Sequence, residues 1–253
     1  MSVLMTQTLP NPLAVFHDRD CDLSIIRGKR IAVIGYGSQG RTHALNLRDS
    51  GVGDIVIGLK AGSATRAKAA ADGFGVVTAA EAAAQADVVA VMVSDEGHRD
   101  LWRDELEPAM RPGAALIFAH GLSVRFGLVQ PRSDLDVILA SPKGIGPRIR
   151  DLYEEGQGVF CLFGVHQDAS GQAHALGGVH EFAPVAGGVG AENVVGQQWP
   201  GVEVLAVHVH ELFGGPVEVR GDALAGVVGG PVGGAHLGLD ETRHDGGVIE
   251  GVY

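Results

Sequence analysis

The segment Arg30-Ile-Ala-Val-Ile-Gly35-Tyr-Gly37-Ser-Gln-Gly40 decides the fold of this 253-residue chain. A short apolar run leads directly into a G-x-G-x-x-G turn, and the residues after the turn have the pattern of a helix. In such a turn the first glycine allows the sharp change of direction, the second lets the backbone approach a pyrophosphate, and the third lets helix and strand pack closely. The N–H groups at the helix N-terminus bind phosphates without requiring a lysine. The segment therefore predicts a dinucleotide-binding unit; the alternative is a glycine-rich loop without a ligand.

Six apolar runs predict the sheet around this turn. Each is short and nearly continuous in hydrophobicity, which is typical of strands whose sheet is covered by helices on both faces. Two of the predicted helices end before Gly51 and Gly73, residues suited to a left-handed helix terminus. We therefore predict an α/β fold with a doubly wound, parallel, Rossmann-like sheet over residues 13–171. The predicted strands are Arg30–Ile34, Ile55–Leu59, Asp87–Val93, Ala114–Ala119, Leu135–Ser141 and Val159–Val165, and the two helices are Thr42–Ser50 and Ala64–Asp72.

Residues 172–253 differ in composition from the rest. Glycine and valine are abundant, lysine is absent, and Arg220 and Arg243 are the only Arg or Lys residues. Runs such as Val202–Val209 could form strands, but the paired glycines at 187/188, 214/215, 229/230 and 233/234 interrupt any longer element. We treat residues 172–253 as an atypical C-terminal region to which the sequence assigns no fold.

Composition and charge exclude several classes of function. The chain has 19 Lys and Arg against 30 Asp and Glu, a formal net charge of -11, so it lacks the basic surface of a nucleic-acid-binding protein. Apolar runs such as Val88–Val93 are far shorter than the ~20 residues that cross a bilayer. Cys21 and Cys161 make no disulfide framework, and Met1–Pro12 lacks the pattern of a signal peptide. We expect a cytoplasmic globular protein with neither nucleic acid nor membrane as a partner.

The residues after the second predicted strand bear on coenzyme choice. NAD-selective sites place an Asp or Glu there, which accepts a hydrogen bond from the ribose 2′-hydroxyl. In this chain residues 59–65, which we call the discriminator loop, offer Lys60, Ser63 and Thr65 instead. One cation and two hydroxyls suit a 2′-phosphate, so the loop predicts NADP rather than NAD. The alternative is that Lys60 is a surface lysine and Ser63 only caps the next helix.

Several motifs follow one another between Phe16 and Gly171: Asp18-Arg-Asp-Cys-Asp22-Leu, the glycine turn, the discriminator loop, Phe118-Ala-His120-Gly121, Pro142-Lys143-Gly144 and His166-Gln-Asp-Ala-Ser-Gly171. In order and spacing they closely resemble the N-terminal domain of ketol-acid reductoisomerase, also called acetohydroxy acid isomeroreductase. Members of this family use NADPH and Mg²⁺ in valine, leucine and isoleucine biosynthesis. The resemblance implies an NADP-dependent enzyme that isomerises and reduces 2-acetolactate or 2-aceto-2-hydroxybutyrate to a 2,3-dihydroxy acid.

The resemblance also implies roles for particular residues. His120 falls on the family's active-site histidine, and Lys143 on a lysine that reaches toward the substrate. His120 also follows a predicted strand at the sheet edge where ligands bind, and imidazole can move protons near neutral pH; the alternative is a structural histidine. Ile145 stands where the family usually has Pro, and Pro147 where it usually has His. The implied coenzyme contacts are Tyr36, Gly37, Ser38, Gln39, Lys60, Ser63, Thr65, Asp95, Glu96, Gly97, His98 and Gly146.

The sequence does not identify the metal ligands. In the family these are Asp and Glu on helices of a C-terminal domain that also builds the dimer, so the resemblance implies Mg²⁺ and a homo-oligomer. Residues 172–253 show no long amphipathic pattern carrying such acids, and we predict no metal-binding residue. His208 and His210 could share one face of a strand, but without further ligands at a suitable spacing they indicate solvated surface.

Three functions remain open at this stage. The first is ketol-acid reductoisomerase. The second is a non-catalytic NADPH-binding protein whose C-terminal domain is degenerate or frame-shifted, which the abrupt change of composition after Gly171 motivates. The third is a reductase of an imine or a 3-hydroxy acid. It has the least support, because the segments around His120 and Lys143 resemble those of ketol-acid reductoisomerase.

Overall fold

The computed structural model describes residues 21–159 and 161–177, and the backbone of residues 203–208. Within these residues eight strands form one sheet in the order β3-β2-β1-β4-β5-β6-β7-β8. Neighbouring strands from β3 to β6 are parallel, whereas β7 and β8 run antiparallel to their neighbours. The strands are β1 (Arg30–Ile34), β2 (Asp54–Gly58), β3 (Gly75–Val77), β4 (Val88–Val91), β5 (Ala115–Phe118), β6 (Asp136–Pro142), β7 (Cys161–Gln167) and β8 (Glu203–His208).

Helices precede the first strand and connect the strands from β1 to β7. They are α1 (Ser24–Arg27), α2 (Ser38–Asp49), α3 (Arg66–Ala71), α4 (Ala79–Gln85), α5 (His98–Leu101), α6 (Glu107–Ala109), α7 (Leu122–Arg125) and α8 (Gly146–Glu154). A 3₁₀ turn at Asp95–Gly97 precedes α5, and a π-helical turn at Trp102–Leu106 joins α5 to α6. None of the described helices is both long and apolar enough to span a membrane.

The strand order confirms the predicted doubly wound fold. Strands arranged 3-2-1-4-5-6 are characteristic of dinucleotide-binding sheets. The helices α2 and α3 are followed by Gly51 and Gly73, which have φ of 95° and 91°, so both predicted left-handed termini are confirmed. The three-residue strand β3 was not predicted, because Gly75–Val77 is too short to give an apolar pattern of its own.

The prediction that all six strands are parallel is wrong for β7. This strand begins opposite the end of β6, with Cys161 beside Pro142, and runs back antiparallel to β6. An apolar run reports that a strand is buried on both faces, but carries no information about its direction. The sequence pattern therefore located β7 without fixing its orientation.

Alternate residues of each central strand pack on opposite faces of the sheet. On β1, Ile31 and Val33 belong to one buried cluster with Leu47 of α2. Ala32 and Ile34 belong to a second cluster with Ala82 of α4. Because helices cover both faces, both sets of side chains must be apolar, which explains the continuous hydrophobic runs.

The sheet and its core extend past residue 171. Residues 173–177 are helical, and Ala173 and Leu176 are buried in the same cluster as Ile31. Strand β8 pairs with β7 and lies within the Val202–Val209 run. The division into residues 13–171 and 172–253 remains a prediction, and most of the second range lies outside the described residues.

His43, on α2, makes the stability of this fold depend on pH. Its side chain is fully buried, and burial lowers its pKa from 6.5 to about 4. An unfolded histidine titrates near 6.5, so below that pH the unfolded chain binds more protons than the folded one. We expect the free energy of unfolding to fall as the pH drops from about 6.5 to about 4, with His43 contributing up to about 3 kcal/mol of that loss.

Unfolding by denaturant across this pH range would measure the effect. His43→Gln should flatten the slope, because it removes the buried imidazole. Equal slopes in the variant and the unmodified chain would contradict the prediction.

Candidate active site

The glycine turn joins the end of β1 to the start of α2. Gly35 has φ of 104°, which suits only glycine. A Cβ on Gly40 would lie 2.2 Å from the carbonyl oxygen of Gly35, so helix and strand can approach this closely only without a side chain. A Cβ on Gly37, by contrast, would meet no atom within 4 Å, and that side of the turn is open to a ligand. The three glycines thus have the geometry expected of a pyrophosphate cradle.

Two residues beside the glycines use their side chains within the protein. Tyr36 is buried, and its hydroxyl donates a hydrogen bond to Asp72 Oδ2 at 2.8 Å. Burial, and then this carboxylate, raise the pKa of Tyr36 well above its usual value. Gln39 Nε2 donates to the carbonyl oxygen of Gly144 at 2.8 Å, while Ser38 at the start of α2 is exposed. A coenzyme contact from Tyr36 would therefore have to come from its backbone.

The discriminator loop follows β2 at the same edge of the sheet. Lys60 is exposed, and the hydroxyls of Ser63 and Thr65 lie 3.0 Å apart. Ser63 Oγ also accepts a long hydrogen bond, 3.4 Å, from the backbone N–H of Thr65, which is the N-cap residue of α3. The loop brings the two predicted hydroxyls together, so they can act on one group.

Asp95 connects the segment after β4 to the residue that follows β5. Its Oδ2 lies 2.7 Å from Nδ1 of His120, whose side chain is 62% exposed. A carboxylate oxygen can only accept, so Nδ1 of His120 donates the hydrogen bond. The proton on Nδ1 leaves Nε2 of the neutral ring as an acceptor, able to take up a proton from a bound molecule. The structure thus combines a residue predicted as a coenzyme contact with the predicted catalytic histidine.

His98 has a different environment from His120. Its side chain is 3% exposed, and Nε2 donates to the carbonyl oxygen of Val93 at 3.0 Å. Ser123 Oγ lies 2.7 Å from Nδ1, and Asp95 Oδ1 lies 3.5 Å from it. The imidazole of His98 therefore ties the segment after β4 to α7. Its neighbour Glu96 is exposed, and hydrogen bonds from its own N–H and from Ser94 lower its pKa.

Lys143 and Gly146 follow β6. Lys143 Nζ donates to Ser141 Oγ at 2.7 Å. A Cβ on Gly146 would lie 2.3 Å from the carbonyl oxygen of Ser38, so Gly146 allows the N-terminus of α8 to pack against that of α2. Thr42 Oγ1, which is buried, donates to the carbonyl oxygen of Gly146 at 2.8 Å. The structure thus gives Gly146 a packing role next to the glycine turn.

All the predicted site residues follow the carboxyl ends of parallel strands. They come after β1, β2, β4, β5 and β6, and therefore share one edge of the sheet, where ligands bind in doubly wound folds. The sequence did not identify Asp72, Ser123, Ser141 and Arg66 as partners of these residues. No local motif marks them, since each acts through a contact with a side chain or carbonyl that only the folded chain brings near.

The described residues contain no evident cation site. Within residues 21–159 and 161–177, no three His, Cys, Asp or Glu side chains converge in a way that could hold a metal ion. The sequence led us to predict no metal-binding residue. That prediction also covers residues 172–253, most of which lie outside the described residues.

The fold and this edge define a dinucleotide-binding domain of the doubly wound type. A family model for the acetohydroxy acid isomeroreductase NADPH-binding domain matches residues 25–193. A solved structure of an NADH-preferring ketol-acid reductoisomerase from an uncultured archean is 38% identical, with a TM-score of 0.66. The chain therefore belongs to the ketol-acid reductoisomerase family, a family of oxidoreductases, as the motifs predicted.

The similarity covers only part of the relative. The alignment with the archaeal enzyme covers 68% of this chain and 54% of that one, so the chain spans about half the length of this relative. A semialdehyde dehydrogenase NAD-binding protein from Cupriavidus necator, solved with calcium and NAD, is 22% identical with a TM-score of 0.51. That alignment covers 62% of this chain and 60% of the other, and shows a shared fold alone.

The hydrogen bond between Asp95 and His120 predicts the tautomer of the imidazole. At a pH where the ring is neutral, we expect His120 to carry its proton mainly on Nδ1. Asp95→Asn removes the charge but keeps the shape, and should lower the ratio of Nδ1–H to Nε2–H forms by up to about fivefold, the range for an exposed pair. The ¹⁵N chemical shifts of the ring measure this ratio directly.

Glu96→Gln is the matched control for that experiment, because it removes an exposed carboxylate next to Asp95 that bonds to its own backbone and Ser94. It should leave the ring shifts of His120 unchanged. Identical shifts in Asp95→Asn and the unmodified chain would contradict the pairing.

Proposed function

We propose that this chain binds NADPH and acts as a ketol-acid reductoisomerase. The reaction would convert 2-acetolactate or 2-aceto-2-hydroxybutyrate into a 2,3-dihydroxy acid in the cytoplasmic biosynthesis of branched-chain amino acids, with Mg²⁺ and in a homo-oligomer, as in the family. The observation that carries the proposal is the Asp95–His120 pair at the same sheet edge as the glycine turn. Family membership adds support, because the pair falls within the matched residues 25–193.

The preference for NADPH rests on the discriminator loop of this chain. The family model describes an NADPH-binding domain, but the 38% identical archaeal relative prefers NADH, so membership alone does not decide the coenzyme. The loop contains no carboxylate to accept from a ribose hydroxyl, and its hydroxyls at Ser63 and Thr65 lie 3.0 Å apart beside an exposed Lys60. Donors without an acceptor acid favour a phosphate over a hydroxyl.

The glycine turn fits the coenzyme that we propose. The open side of Gly37 leaves room for a pyrophosphate at the N-terminus of α2, and this helix is long enough to present a full turn of N–H groups. NADPH, when bound, supplies the hydride of the reduction. The chain itself contributes the position of this group and the handling of protons.

His120 is the group that we assign to proton transfer. During the alkyl migration the 2-hydroxyl becomes a carbonyl and loses a proton, while the former 3-keto oxygen becomes a hydroxyl and gains one. Nε2 of His120 would take the first proton and return the second, because the hydrogen bond from Nδ1 to Asp95 orients the ring and leaves Nε2 as its acceptor. We assign Lys143 to binding of the substrate carboxylate. Its Nζ donates a hydrogen bond to Ser141 Oγ at 2.7 Å.

The described residues do not fit the magnesium ion of the family. Their acidic side chains near the site are engaged separately, Asp95 with His120 and Asp72 with Tyr36 and Arg41, and do not form a cluster of oxygen ligands. We therefore assign none of these residues to the ion and derive no step through it. The proposed dependence on Mg²⁺ comes from family membership.

A non-catalytic NADPH-binding protein is the second candidate. It is favoured by the altered composition of residues 172–253. If this region arises from a frame shift, another reading frame of the gene should encode amphipathic helices after Gly171. A coding sequence without such a frame would remove that explanation.

Binding and turnover separate the two candidates. The full chain should bind NADPH in calorimetry and should oxidise it when Mg²⁺ and 2-acetolactate are added, followed by the near-ultraviolet absorbance of the nicotinamide. Binding without turnover would support the second candidate. Absence of NADPH binding by the folded chain would contradict both.

Lys60 should determine a large part of the coenzyme preference. Lys60→Asp removes a cation and adds a carboxylate, and should weaken NADPH binding by roughly ten- to a hundredfold, since a hydrogen bond to a charged group contributes about 1.5–3 kcal/mol. Binding of NADH, which lacks the 2′-phosphate, should not weaken. Lys29→Asp is the matched control, because Lys29 immediately precedes β1 and lies at the opposite edge of the sheet. An unchanged ratio of the NADPH and NADH dissociation constants in Lys60→Asp would remove this assignment.

A further inference from the structure

Arg66 holds the base of the discriminator loop. It is the first residue of α3 and follows Thr65 directly, yet its half-buried side chain turns back to the other end of the loop. Nη1 donates to the carbonyl oxygen of Leu59 at 2.9 Å. The side chain therefore connects the start of α3, directly after the loop, to Leu59, the first residue of the loop.

The same guanidinium contacts the end of the neighbouring strand. Nη1 also lies 3.4 Å from the carbonyl oxygen of Val77, and Nη2 donates to that of Val76 at 3.3 Å. The N–H of Leu59 donates to Val77 as well, at 2.9 Å. A planar guanidinium presents its donors as a fixed fork and can bridge two strand ends, which a single ammonium group cannot do in the same way. The ends of β2 and β3 and the loop are thus joined through one side chain.

The three hydrogen bonds of Arg66 go to carbonyl oxygens, which leave its positive charge in place. This charge acts on its surroundings, since, after the hydrogen bonds from Thr78, it contributes to lowering the pKa of Glu81. This charge lies at the carboxyl end of β2, which is where doubly wound folds recognise the 2′-substituent of the adenosine ribose. A phosphate at that position would be favoured over a hydroxyl.

We propose that Arg66 is a positioning residue for coenzyme selection: through the carbonyl oxygens of Leu59, Val76 and Val77 it holds the discriminator loop so that Lys60, Ser63 and Thr65 act together on the 2′-phosphate of NADPH. This inference rests on the proposed binding of NADPH and extends it to the basis of specificity. The phosphate is the only group by which NADPH differs from NADH, so the effect of Arg66 must appear in the ratio of their affinities.

Calorimetric titration of the full chain with NADPH and with NADH tests the proposal. Arg66→Met keeps the aliphatic bulk but removes the fork and the charge, and should raise the dissociation constant for NADPH by about tenfold. The constant for NADH should change by less than about twofold, because the loop contributes little to the rest of the coenzyme. Parallel loss of both affinities would indicate a merely structural role and overturn the proposal, as would unchanged affinities.

Two further variants keep the test decisive. Lys68→Met removes an exposed cation from the same helix without touching the loop, and should leave the affinity ratio unchanged. If Lys68→Met lost as much NADPH affinity as Arg66→Met, the effect would be due to net charge, which would overturn the proposal. If circular dichroism shows that Arg66→Met does not fold, Arg66→Lys replaces it. In that variant the ratio of the NADH dissociation constant to the NADPH dissociation constant should fall about threefold or more, because an ammonium cannot bridge both strand ends.

The unmodified chain distinguishes failure of this inference from failure of the proposed function. If it binds NADPH no more tightly than NADH, coenzyme binding stands and the role of Arg66 in selection is wrong. If it binds neither coenzyme, the proposed function and this inference fail together.

Discussion

The close contact between Gly40 and the carbonyl oxygen of Gly35 is the constraint on which the site depends. A single methyl group at Gly40 would lie 2.2 Å from that oxygen, so α2 can pack this closely against the end of β1 only because Gly40 lacks a side chain. This contact directs the N-terminus of α2 to the carboxyl edge of the sheet. Gly37, whose exposed side carries no neighbouring atom within 4 Å, then becomes the surface that a phosphate group can approach.

A second close contact at a glycine joins the glycine turn to the segment that follows β6. Gly146 packs so closely on Ser38 that a Cβ would lie 2.3 Å from the carbonyl oxygen of Ser38. Hydrogen bonds from Gln39 and Thr42 to the carbonyl oxygens of Gly144 and Gly146 reinforce this packing. Because Lys143 immediately precedes these glycines, its backbone is fixed relative to α2. The glycine turn and the segment after β6 therefore belong to one framework, although the sequence separates them by more than a hundred residues.

The sequence predicted those features that depend on local pattern. Continuous apolar runs located the central strands because helices bury both of their faces, as Ile31 and Ala32 show by packing on opposite sides. The pattern did not fix the direction of β7, since burial is independent of direction. The apolar pattern also did not predict the contacts of Asp95 with His120 or of Arg66 with Leu59, because these residues come together only when the chain folds. The sequence thus predicted which residues follow the ends of the strands, but not which side chains or carbonyl groups they contact.

His98 and His120 illustrate why partners matter more than residue type. Both follow parallel strands at the same edge, and Asp95 lies near both, with Oδ2 2.7 Å from His120 and Oδ1 3.5 Å from His98. Val93 and Ser123 engage both nitrogens of His98, whose ring is buried, so a proton there is held by the protein. His120 donates from Nδ1 to Asp95, and its side chain is 62% exposed. One carboxylate therefore lies beside a buried imidazole with contacts at both nitrogens and beside an exposed one, so burial rather than residue type distinguishes the two histidines.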